Sequence, residues 1–215
     1  MKGLAFIGGE APGTEHCRFF ASNADIIVAA DSGLVAAENA GIRPHWIVGD
    51  MDSIDSLRRL EKYPDERILQ FPEDKDHTDT EFALDLLWDK GCRTVLMAGG
   101  GGGRLDHLLA IRSLFERDRF PNRWVTMLDD VRCLNDGDEI NMYLPLDSLI
   151  SILPLGDGCW EIESSGLKWP LNNLKWNRGS VGISNRNISE TFSLRIIRGR
   201  FMLILPLFNE EADVS

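Results

Sequence analysis

The chain has 215 residues, of which 43% are hydrophobic and 27% charged, a composition typical of folded globular proteins. Its formal net charge at pH 7 is −11, which argues against a nucleic-acid duplex or an anionic membrane as partner, because binding to such polyanions needs clustered Lys and Arg. No segment approaches the roughly 18–20 consecutive apolar residues that span a bilayer. If an acidic protein of this kind handles phosphates, a divalent cation must intervene.

The first residues and the cysteines indicate where the protein works. Residues 1–7 are apolar enough for a first strand, but Gly8 and Gly9 follow too early for a signal peptide. The cysteines have neither the spacing of metal ligands nor the density of a disulfide scaffold. We therefore expect a cytoplasmic protein with four reduced thiols: Cys17, Cys92, Cys133 and Cys159.

Up to about residue 128, short apolar runs alternate with helical patterns. This alternation predicts an α/β domain with three layers, in which helices cover a mostly parallel sheet. In the helix predicted over 78–90, Phe82, Leu86 and Leu87 share one face, and Gly91 is a plausible C-terminal stop. The predicted strands are 4–7, 26–30, 46–48, 67–71, 94–98 and 124–128, and the predicted helices are 33–40, 53–62, 78–90 and 104–117.

After about residue 130 the helical period disappears, and short strand patterns separated by turn residues take over. They predict a smaller all-β domain, an antiparallel sandwich or barrel. A turn at 135–138 follows the change of class, and we place the domain boundary between residues 132 and 133, which gives domains 1–132 and 133–215. The predicted strands are 139–144, 149–153, 159–163, 181–184, 192–197 and 201–205.

Acidic residues follow most of the predicted parallel strands, at the sheet edge where ligands bind in open α/β folds. Asp31 follows the second strand, Asp50 and Asp52 the third, and Asp76 and Asp79 the fourth. Asp50 and Asp52 can share one hard cation, which Asp79 can approach from the next loop. Magnesium takes such oxygen ligands together with substrate phosphates, and these three aspartates are therefore the predicted metal ligands.

Helix capping is the competing interpretation for each of these aspartates. Taken singly, Asp31, Asp74 or Asp85 is better explained by a cap or by solvation. Ser53 and Thr78 precede predicted helices and invite the same explanation. Capping does not explain Asp-x-Asp followed by Ser, nor a second acidic cluster with Lys75 inside it, so the metal site is favoured for Asp50, Asp52 and Asp79 together.

A run of five glycines, 99–103, follows the fifth strand and leads into Arg104-Leu105-Asp106-His107. Glycine lets backbone amides approach phosphate oxygens, and the helix that follows contributes a favourable N-terminal dipole. The run is not a Walker A loop, because no Gly-Lys-Ser/Thr closes it. Arg104 and Lys75 would supply positive charge to a transferring phosphate group, although each could also be a solvated surface cation.

The ordered set of these motifs resembles the thiamin pyrophosphokinase family. It comprises Asp31-Ser32-Gly33, Gly49-Asp50-Met51-Asp52-Ser53, the stretch 74–79 and Gly103-Arg104-Leu105-Asp106-His107. The resemblance continues in the second domain at 165–171 and at Ser184-Asn185, so it covers nearly the whole chain.

The resemblance implies an α/β catalytic domain that binds ATP and magnesium, and a β-sandwich domain that helps to bind thiamin. It also implies a homodimer with active sites at the subunit interface, and thiamin diphosphate and AMP as products. By motif, Asp50, Asp52 and Asp79 are similar to the metal ligands, and Arg104 and Asp106 to residues beside the transferred phosphates. The remaining catalytic and nucleotide-binding positions are Lys75, Asp76, Asp31, Ser32, Gly33, Thr78, Gly103 and His107, and the acceptor-binding positions are Trp169, Ser184 and Asn185.

Two departures from the family pattern bear mainly on the acceptor. Ser184-Asn185 is followed by Arg186-Asn187 rather than by an acidic residue, and Ser32 stands where many relatives have Gly. Aromatic side chains nevertheless suit thiamin, whose flat pyrimidine can stack and whose thiazolium is cationic. Of three tryptophans in this stretch, we expect Trp160 in the core and Trp169 partly exposed, with Trp176 nearby.

Three other functions stay open on the sequence alone. A diphosphokinase acting on a hydroxymethyl pterin would use the same catalytic domain, and a metal-dependent phosphohydrolase would use water as acceptor. A sensor that binds nucleotide or thiamin without turnover is disfavoured, since binding alone needs fewer carboxylates facing a polyanion.

Overall fold

The structure is a computed structural model that describes residues 1–51, 57–72 and 76–208. Two compact units compose it, one of Met1–Arg112 with Pro121–Leu128, the other of Ser113–Phe120 with the chain from Asp129 onward. Asp52 and Lys75, two of the predicted site residues, lie outside the described residues, as do Ser53 and Asp74. The predicted boundary at 132/133 stays a prediction.

The first unit is built on a sheet whose paired strands all run parallel. The strand order is β4-β3-β2-β1-β5-β6, which confirms the predicted parallel sheet. All six of these strands begin within two residues of the prediction, because a strand buried on both faces reads as an uninterrupted apolar run. The strands are β1 (Lys2–Phe6), β2 (Ile26–Ala30), β3 (Trp46–Gly49), β4 (Ile68–Gln70), β5 (Thr94–Ala98) and β6 (Arg123–Val125).

Helices connect these strands, and one of them was not predicted. The helix from Thr14 to Ser22 begins without a side-chain cap and has only Cys17 and Phe20 buried, so its apolar pattern in the sequence is weak. The α-helices of the described chain are α1 (Thr14–Ser22), α2 (Gly33–Asn39), α3 (Leu57–Leu60), α4 (Asp79–Asp89) and α5 (Leu105–Leu114), and a 3₁₀ turn spans Asp65–Arg67. Among the described helices, none has the length and apolar character needed to cross a bilayer.

Helix α4 has a different buried face from the predicted one. Ala83, Leu84 and Leu87 are almost fully buried, whereas Phe82 and Leu86 are half-buried. Phe82 stacks on Phe71 instead, with ring centroids 3.9 Å apart. The predicted stop is confirmed, since α4 ends at Asp89 and Gly91 follows with φ of +89°.

The order of the strands places a crevice at the carboxyl edge of this sheet. From β1 the chain builds outward through β2, β3 and β4 on one side, and β5 and β6 lie on the other side of β1. The loops after β1 and β5 therefore flank the point where the direction of building reverses, which is where ligands bind in open α/β sheets.

The second unit is an antiparallel β-sandwich, as predicted. One sheet has the order β11-β9-β13-β7 and the other β10-β12-β8. Apolar residues of both sheets share one core, among them Ile152, Ile162 and Phe192. The strands are β7 (Asp129–Leu134), β8 (Glu139–Tyr143), β9 (Leu149–Leu155), β10 (Glu161–Ser165), β11 (Gly182–Arg186), β12 (Thr191–Arg198) and β13 (Arg200–Pro206).

Strand β7 was not predicted, because three of its six residues are charged. Asp130 is 4% exposed and its carboxylate lies 2.9 Å from a guanidinium nitrogen of Arg132. Because this ion pair lets a charged residue be buried, the strand lacks the alternation of polar and apolar residues by which strands are predicted. The turn predicted at 135–138 is present, with Asp138 N donating to Asn135 O at 2.9 Å.

Candidate active site

The loops after β1 and β2 pack closely at the carboxyl edge. A Cβ on Gly33 would lie 2.3 Å from the carbonyl oxygen of Phe6, and a Cβ on Gly8 would lie 2.6 Å from Ser32 Oγ. Position 33 therefore excludes a side chain, and a side chain at position 8 would displace that of Ser32. The motif Asp31-Ser32-Gly33 is held against the end of β1 by this packing, which requires glycine at position 33; the predicted nucleotide contact of Gly33 stays a prediction.

Asp31 occupies a strained and partly buried position between β1 and β3. Its φ is +47°, an uncommon conformation for a residue with a side chain, and its N–H donates to Val48 O at 2.9 Å. Its carboxylate oxygen Oδ1 is buried with no hydrogen-bond partner among the described residues. The interpretation as a helix cap is wrong for Asp31, since α2 has Ser32 at its N-cap and no side chain caps it. A buried acceptor of this kind is satisfied by a cation or by a hydrogen-bond donor.

The ends of β3 and β4 and the start of α4 carry the predicted metal ligands. Asp50 directly follows β3, and its carbonyl accepts a hydrogen bond of 3.3 Å from Gln70 Nε2. Asp79 is the first residue of α4 and is not its cap. Within the described ranges 1–51, 57–72 and 76–208, no three His, Cys, Asp or Glu side chains are grouped so that they could hold a metal ion. Because Asp52 lies outside these ranges, the predicted three-aspartate site stays a prediction.

Thr78 caps helix α4, as the competing interpretation suggested. Its hydroxyl accepts a hydrogen bond from Glu81 N at 3.3 Å, and its N–H donates to Glu81 Oε2 at 2.8 Å. This is a complete capping box. If Thr78 also contacts the nucleotide, as predicted, it must do so while its hydroxyl and N–H are engaged in this capping box. Asp76 and His77, just before the cap, are exposed.

The glycine run after β5 offers fewer amides to a phosphate than its composition suggests. The N–H groups of Gly99, Gly100 and Gly101 donate to Val125 O, Gly8 O and Glu10 O at 2.8–3.1 Å. Much of the glycine content is thus explained by close packing of the β1 and β5 loops; a Cβ on Gly99 would lie 2.2 Å from Ile7 O. The backbone N–H groups expected to bind phosphate are therefore those of Gly102, Gly103 and the start of α5.

Arg104 and Asp106 form an ion pair at that helix start. Two guanidinium nitrogens of Arg104 donate to the two carboxylate oxygens of Asp106, at 3.1 and 2.6 Å. The hydrogen bond from Arg104 is the main reason why the pKa of Asp106 is lowered, and His107 N adds a further one of 3.1 Å. The same pairing raises the pKa of Arg104. Both side chains are mostly exposed, at 73% and 62%, so they can reorient toward a ligand.

In the second unit, Trp169 is presented to solvent by buried polar contacts. Trp169 is 53% exposed and Trp160 is 8% exposed, so both expectations for these tryptophans are confirmed. Asn185 is 5% exposed. Its Oδ1 accepts from Trp169 N at 3.2 Å and its Nδ2 donates to Trp169 O at 2.7 Å. Asn185 thus fixes the backbone of Trp169, and its amide is already engaged.

The residues that depart from the family pattern have structural partners. Asn187 is 2% exposed, and its Nδ2 donates to Leu144 O, Pro145 O and Ser189 O at 2.9–3.2 Å. Arg186 donates to the carboxylate of Asp147 at 2.7 Å. Ser184 has φ of +61° and is exposed. Arg186 and Asn187 therefore organise the loop before β9, which accounts for them without a ligand.

The loop after β1 was not predicted to be part of the site. Gly8 and Gly9 directly follow the first strand, which was signal enough to mark a close approach of backbones. Glu10, the next residue, makes two backbone hydrogen bonds with Gly101, of 2.8 and 3.1 Å. It belongs to the crevice between β1 and β5.

Comparison with known proteins agrees with this geometry in both units. Residues 17–125 match the family model described as thiamin pyrophosphokinase, catalytic domain, and residues 139–196 match the vitamin B1 binding domain of the same enzymes. The thiamine pyrophosphokinase of Bacillus subtilis is 30% identical over 189 residues, which cover 82% of this chain and 85% of that protein.

Crystal structures of such proteins share the fold along almost the whole chain. The thiamine pyrophosphokinase of Bacillus subtilis superposes with a TM-score of 0.78 at 25% identity, covering 97% of this chain and 100% of that one. The thiamin pyrophosphokinase of Geobacillus thermodenitrificans superposes with a TM-score of 0.75 at 25% identity, covering 98% and 99%. The resemblance read from the ordered motifs is confirmed, and the chain belongs to the thiamin pyrophosphokinase family of ATP-dependent pyrophosphotransferases.

Proposed function

We propose that this chain transfers a pyrophosphoryl group from ATP to the hydroxyl of thiamin, giving thiamin diphosphate and AMP. The observation that carries the proposal is that the catalytic and the vitamin B1 binding models match one chain in order, at 17–125 and 139–196. Nothing in the comparisons supports a hydroxymethyl pterin as acceptor.

The nucleotide is proposed to bind at the carboxyl edge of the parallel sheet, with magnesium between its phosphates and the acidic residues. Asp50, Asp52 and Asp79 would hold the ion. The buried Oδ1 of Asp31, which lacks a partner among the described residues, fits a cation with its bound waters, because such an oxygen needs positive charge or a donor. When bound, magnesium supplies a charge that screens the phosphates and polarises their oxygens.

The chain's own residues would then position the reactants and balance charge. Attack of the thiamin hydroxyl on the β-phosphorus expels AMP, and most of the acceleration would come from alignment and electrostatics. Arg104 and Lys75 are proposed to steady the transferred group, with Ser32, Gly33, Thr78, Gly103 and His107 shaping the nucleotide site. For the hydroxyl proton, Asp76 is proposed as the base, because the carboxylate of Asp106 is already hydrogen-bonded to two guanidinium nitrogens of Arg104 and the pKa of Asp106 is lowered, chiefly by that bonding.

Trp169 is proposed to stack on the acceptor. The Lys168 ammonium already lies 4.6 Å from the centroid of the Trp169 ring, so a second cation on that ring would be repelled. We infer that the neutral pyrimidine of thiamin stacks there, and that the thiazolium lies elsewhere. Ser184 is proposed to contact the acceptor. Asn185, whose amide holds the Trp169 backbone, would act through the position of that ring.

A homodimer and a cytoplasmic location complete the proposal. Large apolar side chains of the second unit are exposed, among them Val181 at 57%, Ile183 at 63% and Ile188 at 64%, and such surfaces are commonly covered by a partner. Light scattering should then give twice the chain mass of 24.1 kDa. The cysteines are unpaired in the structure, which fits a reducing compartment.

The activity is tested by incubating the purified protein with thiamin, ATP and magnesium and separating the products by chromatography. We expect thiamin diphosphate and AMP in equal amounts. Phosphate or pyrophosphate released without any acceptor would indicate a hydrolase and contradict the proposal.

The metal role is tested with Asp50→Asn, which keeps the shape of the side chain but removes its charge. We expect kcat to fall by roughly a hundredfold or more, with an unchanged circular dichroism spectrum. Asp85→Asn is the matched control, because Asp85 is exposed on α4 and should keep normal turnover. Near-normal activity of Asp50→Asn would remove this residue from the metal site.

A further inference from the structure

Strand β11 contains an irregularity at the residues proposed to bind the acceptor. Its register against β9 shifts between Gly182 and Asn185, so that Ile183 and Ser184 together lie opposite one residue of β9, Ser151. Two residues facing one form a β-bulge, which bends a strand and re-aims its side chains. The mechanism above assigns no role to this bulge or to Ser151.

The bulge decides which face of the sheet each residue of β11 is on. Gly182 and Asn185 lie opposite two fully buried core residues of β9, Ile152 and Ile150, so both point toward the core although they are three positions apart. In a regular strand successive side chains point to opposite faces, and a separation of three would place them on different faces. Without the bulge, Ser184 would face the core and Asn185 would face outward.

The observed burial agrees with this register. Asn185 is 5% exposed, whereas Ser184 is exposed. From its inward position Asn185 holds the backbone of Trp169 through hydrogen bonds of 3.2 and 2.7 Å. The outward hydroxyl of Ser184 and the fixed position of Trp169 therefore both depend on the bulge.

Ser151 satisfies the backbone of the bulge. Ser184 N donates to Ser151 Oγ at 3.2 Å, so a side chain accepts the N–H of a residue that a bulge leaves outside the regular ladder. Ser151 is half-buried between two fully buried isoleucines of β9. A hydroxyl at this position is explained by the bulge that it faces.

The backbone of Ser184 indicates that its side chain is used. Its φ of +61° lies in the left-handed region, which glycine adopts without strain. Strained residues of this kind persist where the surrounding structure fixes them, and they cluster at functional sites. Glycine would relieve the strain but would remove the hydroxyl, so a serine here favours a contact made by that hydroxyl.

We infer that Ser151 is a positioning residue for acceptor binding. By holding the bulge, it keeps the Ser184 hydroxyl directed outward and Asn185 directed inward beneath the backbone of Trp169. The inference rests on the proposed function for the identity of the acceptor as thiamin.

Steady-state kinetics of thiamin diphosphate formation by Ser151→Ala test this role. We expect the KM for thiamin to rise roughly threefold to tenfold, the loss expected for one neutral hydrogen bond, and the KM for ATP to stay unchanged. Ser151→Thr keeps the hydroxyl and should restore most of the affinity. If Ser151→Ala does not fold, Ser151→Cys decides, because its thiol has a similar size but is a weak acceptor.

Ser180→Ala is the matched control. Ser180 is also half-buried, and its Oγ accepts a backbone hydrogen bond of 2.9 Å from Asn177 N, so the variant loses the same kind of bond outside the bulge. Its KM for thiamin should equal that of wild type. A purely structural role of Ser151 would lower the melting temperature and the amount of active enzyme without changing either KM, and that result would overturn the inference. An equal rise of the thiamin KM in Ser180→Ala would also overturn it.

Ser184→Gly tests the bulge from the other strand. Glycine adopts the left-handed conformation freely, so the melting temperature should be close to that of wild type while the KM for thiamin rises. A thiamin KM unchanged in this variant would show that the Ser184 hydroxyl is not used and would contradict the inference.

Amide hydrogen exchange of Ser184 separates this inference from the proposed function. We expect the exchange to be faster in Ser151→Ala than in wild type, because the acceptor of that N–H is lost; an unchanged rate would show that Ser151 does not hold the bulge. Wild type that forms thiamin diphosphate, with an unchanged thiamin KM in Ser151→Ala, would remove Ser151 alone. Wild type that forms no thiamin diphosphate would refute the proposed function and the acceptor role together, whereas the exchange rate would still decide whether Ser151 holds the bulge.

Discussion

Asp106 illustrates how one hydrogen-bond partner sets the charge of a site residue. Its carboxylate accepts from Arg104 and from His107 N, and its pKa lies below the ordinary value, which is about 3.9 for aspartate. A lowered pKa means that the charged form persists as the pH falls, so Asp106 is ionised throughout the pH range 5 to 9. The stabilisation by this ion pair is fully present above the pKa of Asp106 in the unfolded chain, and it is lost as the pH falls through the lower pKa of Asp106 in the folded protein. Because both side chains are exposed, solvent screens this contribution.

A pH profile of kcat/KM checks this consequence. We expect the pH at which activity falls on the acid side to be the same in wild type and in Asp106→Asn, although the variant should be less active at every pH. The melting temperatures should be similar. An acid limb that disappears in Asp106→Asn would show that Asp106 titrates in the working range and would contradict its lowered pKa.

At the scale of elements, helix α4 depends on its capping box. Thr78→Ala removes the hydroxyl that accepts from Glu81 N, and loss of such a cap costs about 1 kcal/mol. Urea denaturation should show this decrease in the free energy of unfolding, and Thr78→Ser, which keeps the hydroxyl, should restore most of it. Equal stability of Thr78→Ala and wild type would show that the cap contributes nothing.

The close approach of α2 to β1 gives a second prediction at this scale. In Gly33→Ala the new methyl would lie 2.3 Å from the Phe6 carbonyl oxygen, and backbone cannot move aside as a flexible side chain can. We expect a loss of about 3 kcal/mol, the upper end of overpacking costs, in urea denaturation. Gly13→Ala is the control, because its nearest neighbour, His16 Nδ1, is 3.9 Å from the new atom; a similar loss in both variants would contradict the steric explanation.

The elements that could be predicted from sequence are those with one simple pattern. Strands β2 and β5 were predicted at their observed bounds, Ile26–Ala30 and Thr94–Ala98, because both are short uninterrupted apolar runs. Helix α1 and strand β7 were missed. The first buries few residues, and the second carries the ion pair of buried Asp130 with half-buried Arg132, which forms only in the folded strand.

The candidate site shows the same division. The acidic residues at the ends of β2 and β3 could be located because the strands themselves were recognisable. The engagement of the glycine amides by Gly8 O and Glu10 O could not be predicted, since it depends on pairing between loops about ninety residues apart in sequence. For the same reason, the hold of Asn185 on the Trp169 backbone was visible only in the structure.

At the scale of the whole molecule, the net charge of −11, from 34 acidic and 23 basic residues, opposes the binding of a polyphosphate. We therefore expect ATP to bind at least tenfold more weakly in EDTA than with magnesium, in calorimetric titrations at low salt where screening is small. Adenosine, which carries no charge, is the control ligand and should bind equally in both conditions. An acidic surface repels ATP unless a cation intervenes. If ATP bound with the same affinity in EDTA as with magnesium, the protein would have to hold the phosphates in a cationic pocket of its own, and the proposal that magnesium bridges ATP to the protein would be refuted.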